Sequence, residues 1–272
     1  MHCRLGVVAF LNSRPLTFGL SERDDVTLTP AVPAELPGLL DRGAVDIALV
    51  PLIDILRQPD EYAVVSDGCI ASDGETMTVR VFSQVPPDRV RILVVDTDSH
   101  TSVVLARVLW RELYGQTLTV RPADAARTLG PDGALLLIGD KVVDPHRGGY
   151  AQETDLGAAW RQHTGLPFVF AVWAARRNWV VTHPRETAAA AELLGGARDA
   201  GVASAVQIAR EWGPQHGWPI ELAERYLLRC LKFTLNERMV AGVNRFAELA
   251  RAADLLPAGD DIVWPALVGA ES

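Results

Sequence analysis

The sequence predicts an α/β protein of two lobes with a central cleft between them and a run of helices at its C-terminal end. Three observations carry that expectation. The N-terminal part alternates short apolar strands with helical patterns, a βαβαβ rhythm that builds a parallel or mixed sheet with helices on its faces. A second α/β rhythm follows Pro86 and Pro87 and ends in a long apolar strand. From Pro184 the texture turns almost wholly helical. A chain that enters a second lobe and returns makes a clamp, with strand-end loops of both lobes facing the cleft. The expected division is residues 1–85 with 178–272 as the first lobe and 86–177 as the second, with hinge strands near 83–87 and 172–176.

The elements follow in order. "RLGVVAF" is a first strand and "VTLTPAV", from Val26, a second. In "AELPGLLDRGAVD", Leu36, Leu39 and Leu40 share a helical face and Gly43 stops the helix. "DIALVPL" is the kind of uninterrupted apolar run that parallel sheets bury on both faces. "LIDILRQ" is a short helix, "EYAVVSDGCI" a strand, and Thr76 to Phe82 alternate as a further strand. The second unit reads "RILVVD" (strand), "SHTSVVLARVLWRELYG" (helix to Gly115), "TLTVRPA" and "GALLLIGDK" (strands), "DLGAAWRQHTG" (helix) and "LPFVFAVWAARRN" (strand). After the Ala-rich helical stretch from Pro184, "IELAERYLLRCLKFTLNERMVAGVNRFAELARAADLLP" gives two more amphipathic helices.

Composition bounds the function. A length of 272 residues allows one or two domains, and a net charge of -8 disfavours nucleic acid and anionic membranes as partners. No run of about 18 apolar residues suggests a membrane span. The first residues read as a strand rather than a secretion signal, so a cytoplasmic location is expected. Cys3, Cys69 and Cys230 are odd in number and far apart, which fits buried thiols in a reducing compartment. The histidines are equally scattered, so no metal site is expected, and without a dinucleotide fingerprint no cofactor is expected either.

Polar groups collect just past strand ends, where open α/β sheets bind ligands. Asn12, Ser13 and Arg14 follow the first strand; they either cap a helix begun by Pro15 or meet a ligand. Ser99, Thr101 and Ser102 open a helix, where hydroxyls and free N–H groups suit an anion, although Ser99 also reads as a plain cap. Gly139 permits close backbone approach, and Asp140 either orients a ligand or caps the next turn. No nucleophile elbow, phosphate loop, dinucleotide fingerprint or zinc helix is present, so an enzyme here must work by neutral hydrogen bonds and positioning.

Several segments together, "GVVAFLNSRPL", "DRGAVDIALVPLIDIL", "DSHTSVVLARVL", "LLLIGDK" and "DLGAAWRQHTGLPFVFAVWAARR", resemble the menaquinone-biosynthesis family of the futalosine route. The Gly242/Phe246 region of the last helix extends the likeness across nearly the whole chain. It implies a type II periplasmic-binding-protein fold and, as substrate, chorismate, dehydrated to 3-[(1-carboxyvinyl)oxy]benzoate without metal or redox cofactor. "FLNSRPL" stands where the later naphthoate-forming enzyme of the route carries a different stretch, so the dehydrating branch is favoured. The resemblance implies that Asn12 and Thr78 are catalytic, Thr78 standing where relatives have Ser. It implies further that Ser99, Thr101 and Ser102 hold a carboxylate, and that Gly139, Asp140, Gly165, Leu166 and Pro167, with Arg14, line or shape the cleft. The alternatives are a small-anion binding protein of the same fold and the later 1,4-dihydroxy-6-naphthoate synthase.

Overall fold

A computed structural model describes residues 2–95, 98–123, 129–144, 149–259 and 262–265. Strands β1 (Cys3–Val8), β2 (Val26–Ala31), β3 (Ile47–Pro51) and β4 (Tyr62–Ser72) enclose helices α1 (Leu36–Asp41) and α2 (Leu52–Arg57). Next come β5 (Val79–Ser83), β6 (Ile92–Val95), α3 (Thr101–Tyr114), β7 (Thr119–Pro122), β8 (Gly133–Ile138), β9 (Gln152–Asp155), α4 (Leu156–Thr164) and β10 (Phe168–Arg176). The chain closes with α5 (Arg177–Thr182), α6 (Pro184–Ala203), α7 (Ala205–Trp212), α8 (Ile220–Arg225), β11 (Leu231–Thr234) and α9 (Glu237–Ala252).

Two sheets result, as the two-lobed α/β expectation requires. The first runs β11-β4-β10-β3-β1-β2 and the second β7-β6-β8-β5-β9. In the first, β1 is parallel to β2 and β3, whereas β10 runs antiparallel to β3 and β4. In the second, β6 is parallel to β7 and β8 while β5 is antiparallel to β8 and β9. The apolar run of β8 is buried on both faces: Leu135 and Leu137 join Phe82 and Val94, while Leu136 and Ile138 join the main core. Helices α6 and α9 pack back across the first lobe at close range. A Cβ at Gly201 would stand 2.0 Å from the Pro15 carbonyl oxygen, and one at Gly242 would stand 2.2 Å from that of Pro167.

Three local expectations are corrected. The crossings between sheets are not at 83–87 and 172–176. β5 already belongs to the second sheet and β10 to the first, so the chain crosses at 73–78 and returns through 156–167. Pro86 and Pro87 make a tight turn inside the second lobe, where the Trp110 indole donates to the Pro87 carbonyl at 2.9 Å. The strand expected from Thr76 begins only at Val79. Met77 has φ +65°, and Thr78 N–H donates to Thr76 O at 2.8 Å across it, a γ-turn of the strained positive-φ kind. Asp155 overrides the alternating pattern by accepting from Thr76 N–H at 3.0 Å and Met77 N–H at 2.7 Å. Lastly, the first of the two late amphipathic stretches is broken. After α8 a π-turn over Tyr226–Cys230 re-aims the chain, and Leu231–Thr234 adds an edge strand to β4.

Candidate active site

Between the sheets lies a cleft lined by residues of both lobes, and junctions between lobes are a common place for small-molecule sites. Its wall is largely apolar, with Val8, Ile70, Ile138 and Phe170 among the lining side chains. Its polar groups are Asn12, Thr76, Thr78, Ser99, Thr101, Ser102 and Tyr226. Gly139 completes it on one side.

Each group is held there by its element. β1 ends in a 3-10 turn over Leu11–Thr17, and the buried Ser13 hydroxyl fixes that turn by donating to Val8 O at 2.6 Å and Phe10 O at 3.0 Å. Asn12 caps nothing. Its Oδ1 is buried and lacks a hydrogen-bond partner among the described residues, whereas buried polar atoms are nearly always paired. Of the two readings of the first strand end, ligand contact therefore fits Asn12, and the structural role falls to Ser13.

Thr78 follows the γ-turn at the head of β5, and its Oγ1 lies 2.7 Å from the Tyr226 hydroxyl. Tyr226 also neighbours Asn12, and burial is the main cause that pushes its hydroxyl pKa well above the ordinary range. At the start of α3, the Ser99 hydroxyl accepts from Ser102 N–H at 3.3 Å, so Ser99 does cap the helix while still lining the cavity. Thr101 is spent on structure as well: its hydroxyl accepts from Ile53 N–H at 3.2 Å and donates to Phe170 O at 3.3 Å. None of the described lining side chains is charged. An anion in this cavity would be met by hydroxyl, amide and helix N-terminal donors.

The family model for menaquinone biosynthesis matches residues 3–252. The chain belongs to the menaquinone biosynthesis family. A relative from Thermus thermophilus, named chorismate dehydratase, is 29% identical over 260 residues, covering 90% of this chain and 93% of that protein. The alkanesulfonate-binding protein SsuA from Xanthomonas axonopodis pv. citri, bound to MOPS, superposes with a TM-score of 0.69 at 13% identity, covering 94% of both chains. A Candida albicans gene product described as having the generic periplasmic binding protein fold gives a TM-score of 0.64 at 12% identity, covering 96% of this chain and 92% of its own. These two likenesses show the fold, that of a two-lobed periplasmic-binding-protein-like α/β protein.

Not every residue expected to serve this family member's site lies in the cavity. Arg14 is turned away: its guanidinium sits 3.7 Å from the Trp212 ring centroid and faces a different surface groove. Burial lowers its pKa, and the Asp140 charge opposes that shift. Asp140 is engaged across the lobes. Its carboxylate accepts from the Trp218 indole at 2.8 Å and Leu11 N–H at 3.4 Å, and stands 2.7 Å from His216 Nδ1. Gly165, Leu166 and Pro167 form the return crossing outside the cavity. Gly165 ends α4 with φ +72°, and the Trp160 indole donates to the Pro167 carbonyl at 3.1 Å. Gly139 does line the cavity; its φ of +60° favours glycine, and its lack of a side chain lets Phe10 approach where a Cβ would stand 2.7 Å from the ring.

Sequence reasoning does not single out Tyr226. It lies in a stretch that reads as one face of an amphipathic helix. The single signal for it is chemical: a tyrosine on a buried face needs a partner for its hydroxyl.

Proposed function

We propose that this chain is a cytoplasmic chorismate dehydratase, a hydro-lyase that converts chorismate to 3-[(1-carboxyvinyl)oxy]benzoate and water. The observation that carries this reading is the meeting of Asn12 and Thr78, distant in sequence and borne on different lobes, in one cavity beside the start of α3. The similarity to the Thermus thermophilus protein supports the same reading.

The reaction removes the proton from the ring carbon bearing the enolpyruvyl ether and the hydroxyl from its neighbour. The ring becomes aromatic, which supplies the driving force. The substrate's own enolpyruvyl carboxylate takes the proton, which leaves with the hydroxyl as water. The protein needs no strong acid–base pair for this. Its task is to fold the ligand so that the carboxylate reaches the ring proton and to keep bulk water out. The apolar wall serves the second task. In this mechanism Asn12 hydrogen-bonds the reacting ligand with an amide whose orientation the 3-10 turn fixes, and Thr78 donates to the departing hydroxyl. Ser99, Ser102 and the α3 N-terminus receive a carboxylate.

The test is direct. Purified protein incubated with chorismate should form the aromatic enol ether, followed by chromatography and mass. Stoichiometric binding of chorismate without conversion would instead favour a binding protein of this fold, and no binding at all would overturn both.

A further inference from the structure

Resting on that reading, we propose that Tyr226 is the positioning residue of the reaction: it donates to Thr78 Oγ1 and so leaves the threonine's own O–H for the departing hydroxyl. Tyr226 is 1% exposed, yet it lines the cavity. Its hydroxyl and Thr78 Oγ1 are 2.7 Å apart, while the threonine hydroxyl's other hydrogen-bond contact among the described residues, to Thr76 O, is stretched to 3.5 Å. A threonine hydroxyl on a free rotor spreads its proton over several directions. The contact to Tyr226 removes that freedom.

Chemistry decides which oxygen donates. A phenol is a far stronger donor than an alkanol, and burial keeps this phenol protonated at all ordinary pH. An alcohol that accepts from a phenol becomes a better donor itself, because chained hydrogen bonds polarise one another. No proton needs to leave Tyr226, so the step remains balanced as written above.

The placement of Tyr226 also explains why a helix is interrupted there. The π-turn over Tyr226–Cys230 swings the ring to face Trp218, stacked at 4.8 Å and 17°. The Trp218 indole in turn donates to Asp140, on the same lobe as Thr78. Tyr226 thus meets Thr78 across the two lobes as they stand here.

The experiment compares kcat and KM for chorismate in the wild type, Tyr226→Phe, Thr78→Val and the double variant, with melting temperatures alongside. Tyr226→Phe should lower kcat at least tenfold with KM within threefold, and the double variant should be no slower than Thr78→Val alone. A Tyr226→Phe kcat within twofold of wild type, or losses that multiply in the double variant, would overturn the proposal while leaving the dehydratase reading intact. A wild type that leaves chorismate unchanged overturns both. Should Tyr226→Phe fail to fold, a fluorinated tyrosine incorporated at 226 keeps the shape and strengthens the donor. Retained or raised kcat is then expected, and a tenfold fall would reject the role.

Discussion

His216 Nδ1 stands 2.7 Å from Asp140 Oδ2, which ties the loop after α7 to the end of β8 and hence one lobe to the other. The same carboxylate takes the Trp218 indole and the Leu11 N–H, so three groups from one lobe converge on one acceptor of the other. Asp140→Ala removes the acceptor for all of them. The expected result is a more open molecule, with a larger radius of gyration by small-angle scattering in the absence of ligand. KM for chorismate should rise by about tenfold, the equivalent of one net hydrogen bond of ~1.4 kcal/mol, with kcat less affected. An unchanged scattering profile would show that other contacts hold the lobes.

Asn12→Ala separates ligand contact from folding. Asn12 caps no helix and its buried oxygen has no partner among the described residues, so the change should leave the melting temperature nearly unaltered. Turnover should fall by about a hundredfold, as loss of a preorganised polar group commonly causes. A well-folded variant with near-normal rate would remove Asn12 from the site.

At Thr78, Ser should retain most activity because only a methyl is lost. Val keeps the shape without the hydroxyl and should lose about a hundredfold in kcat. Equal rates for the two variants would exclude a role for the hydroxyl.

Two glycines should respond in opposite ways to alanine. At Gly157 a Cβ would lie 2.5 Å from Gly74 O and 2.4 Å from Thr76 Cγ2, inside the turn that presents Thr78. Gly157→Ala should destabilise by about 1–3 kcal/mol and impair turnover with it. At Gly195, in α6, an added Cβ would meet no described atom within 4 Å, and Gly195→Ala should stabilise by up to about 1 kcal/mol. Denaturant melts of both variants supply the comparison.

The thiols give a pH prediction. Burial raises Cys3 from 9.0 to about 11 and pushes Cys69 up as well. The native thiol keeps its proton where the unfolded one has lost it, so stability falls as pH rises between about 9 and 11. For Cys3 alone the slope is roughly 1.4 kcal/mol per pH unit at most. Folded protein at pH 8 should leave a thiol reagent unreacted, and denatured protein should consume it at Cys3, Cys69 and Cys230.

Much of this is legible in the sequence because it follows from short-range pattern. The apolar runs at Ile47–Pro51 and Gly133–Ile138 sit in sheets where unbroken hydrophobicity requires, and Asn12 and Ser99 stand at strand ends where the fold class puts ligands. What escapes depends on distant partners. Thr76 and Met77 alternate like a strand, but Asp155 holds them in a turn from another part of the chain. Arg14 and Asp140 have the chemistry of anion and ligand contacts, and only the positions of Trp212, Trp218 and His216 reveal their structural roles. Tyr226 and β11 are hidden in a helical pattern because the π-turn that ends it has no sequence signature of its own.

The register between β4 and β10 has a consequence for how the chain is put together. Ser72, the last residue of β4, is paired with Phe168, the first of β10, and the two strands run antiparallel. Were residues 73–167 deleted, the strands would form an ordinary hairpin needing only a tight reversal between them. The second lobe is therefore an insert threaded through the tip of a hairpin, and its two ends emerge side by side. During synthesis the central strand of the first sheet arrives only after the whole insert has been made. The N-terminal strands must wait for it, and zipping β10 into the gap between β3 and β4 closes a loop as long as a small domain.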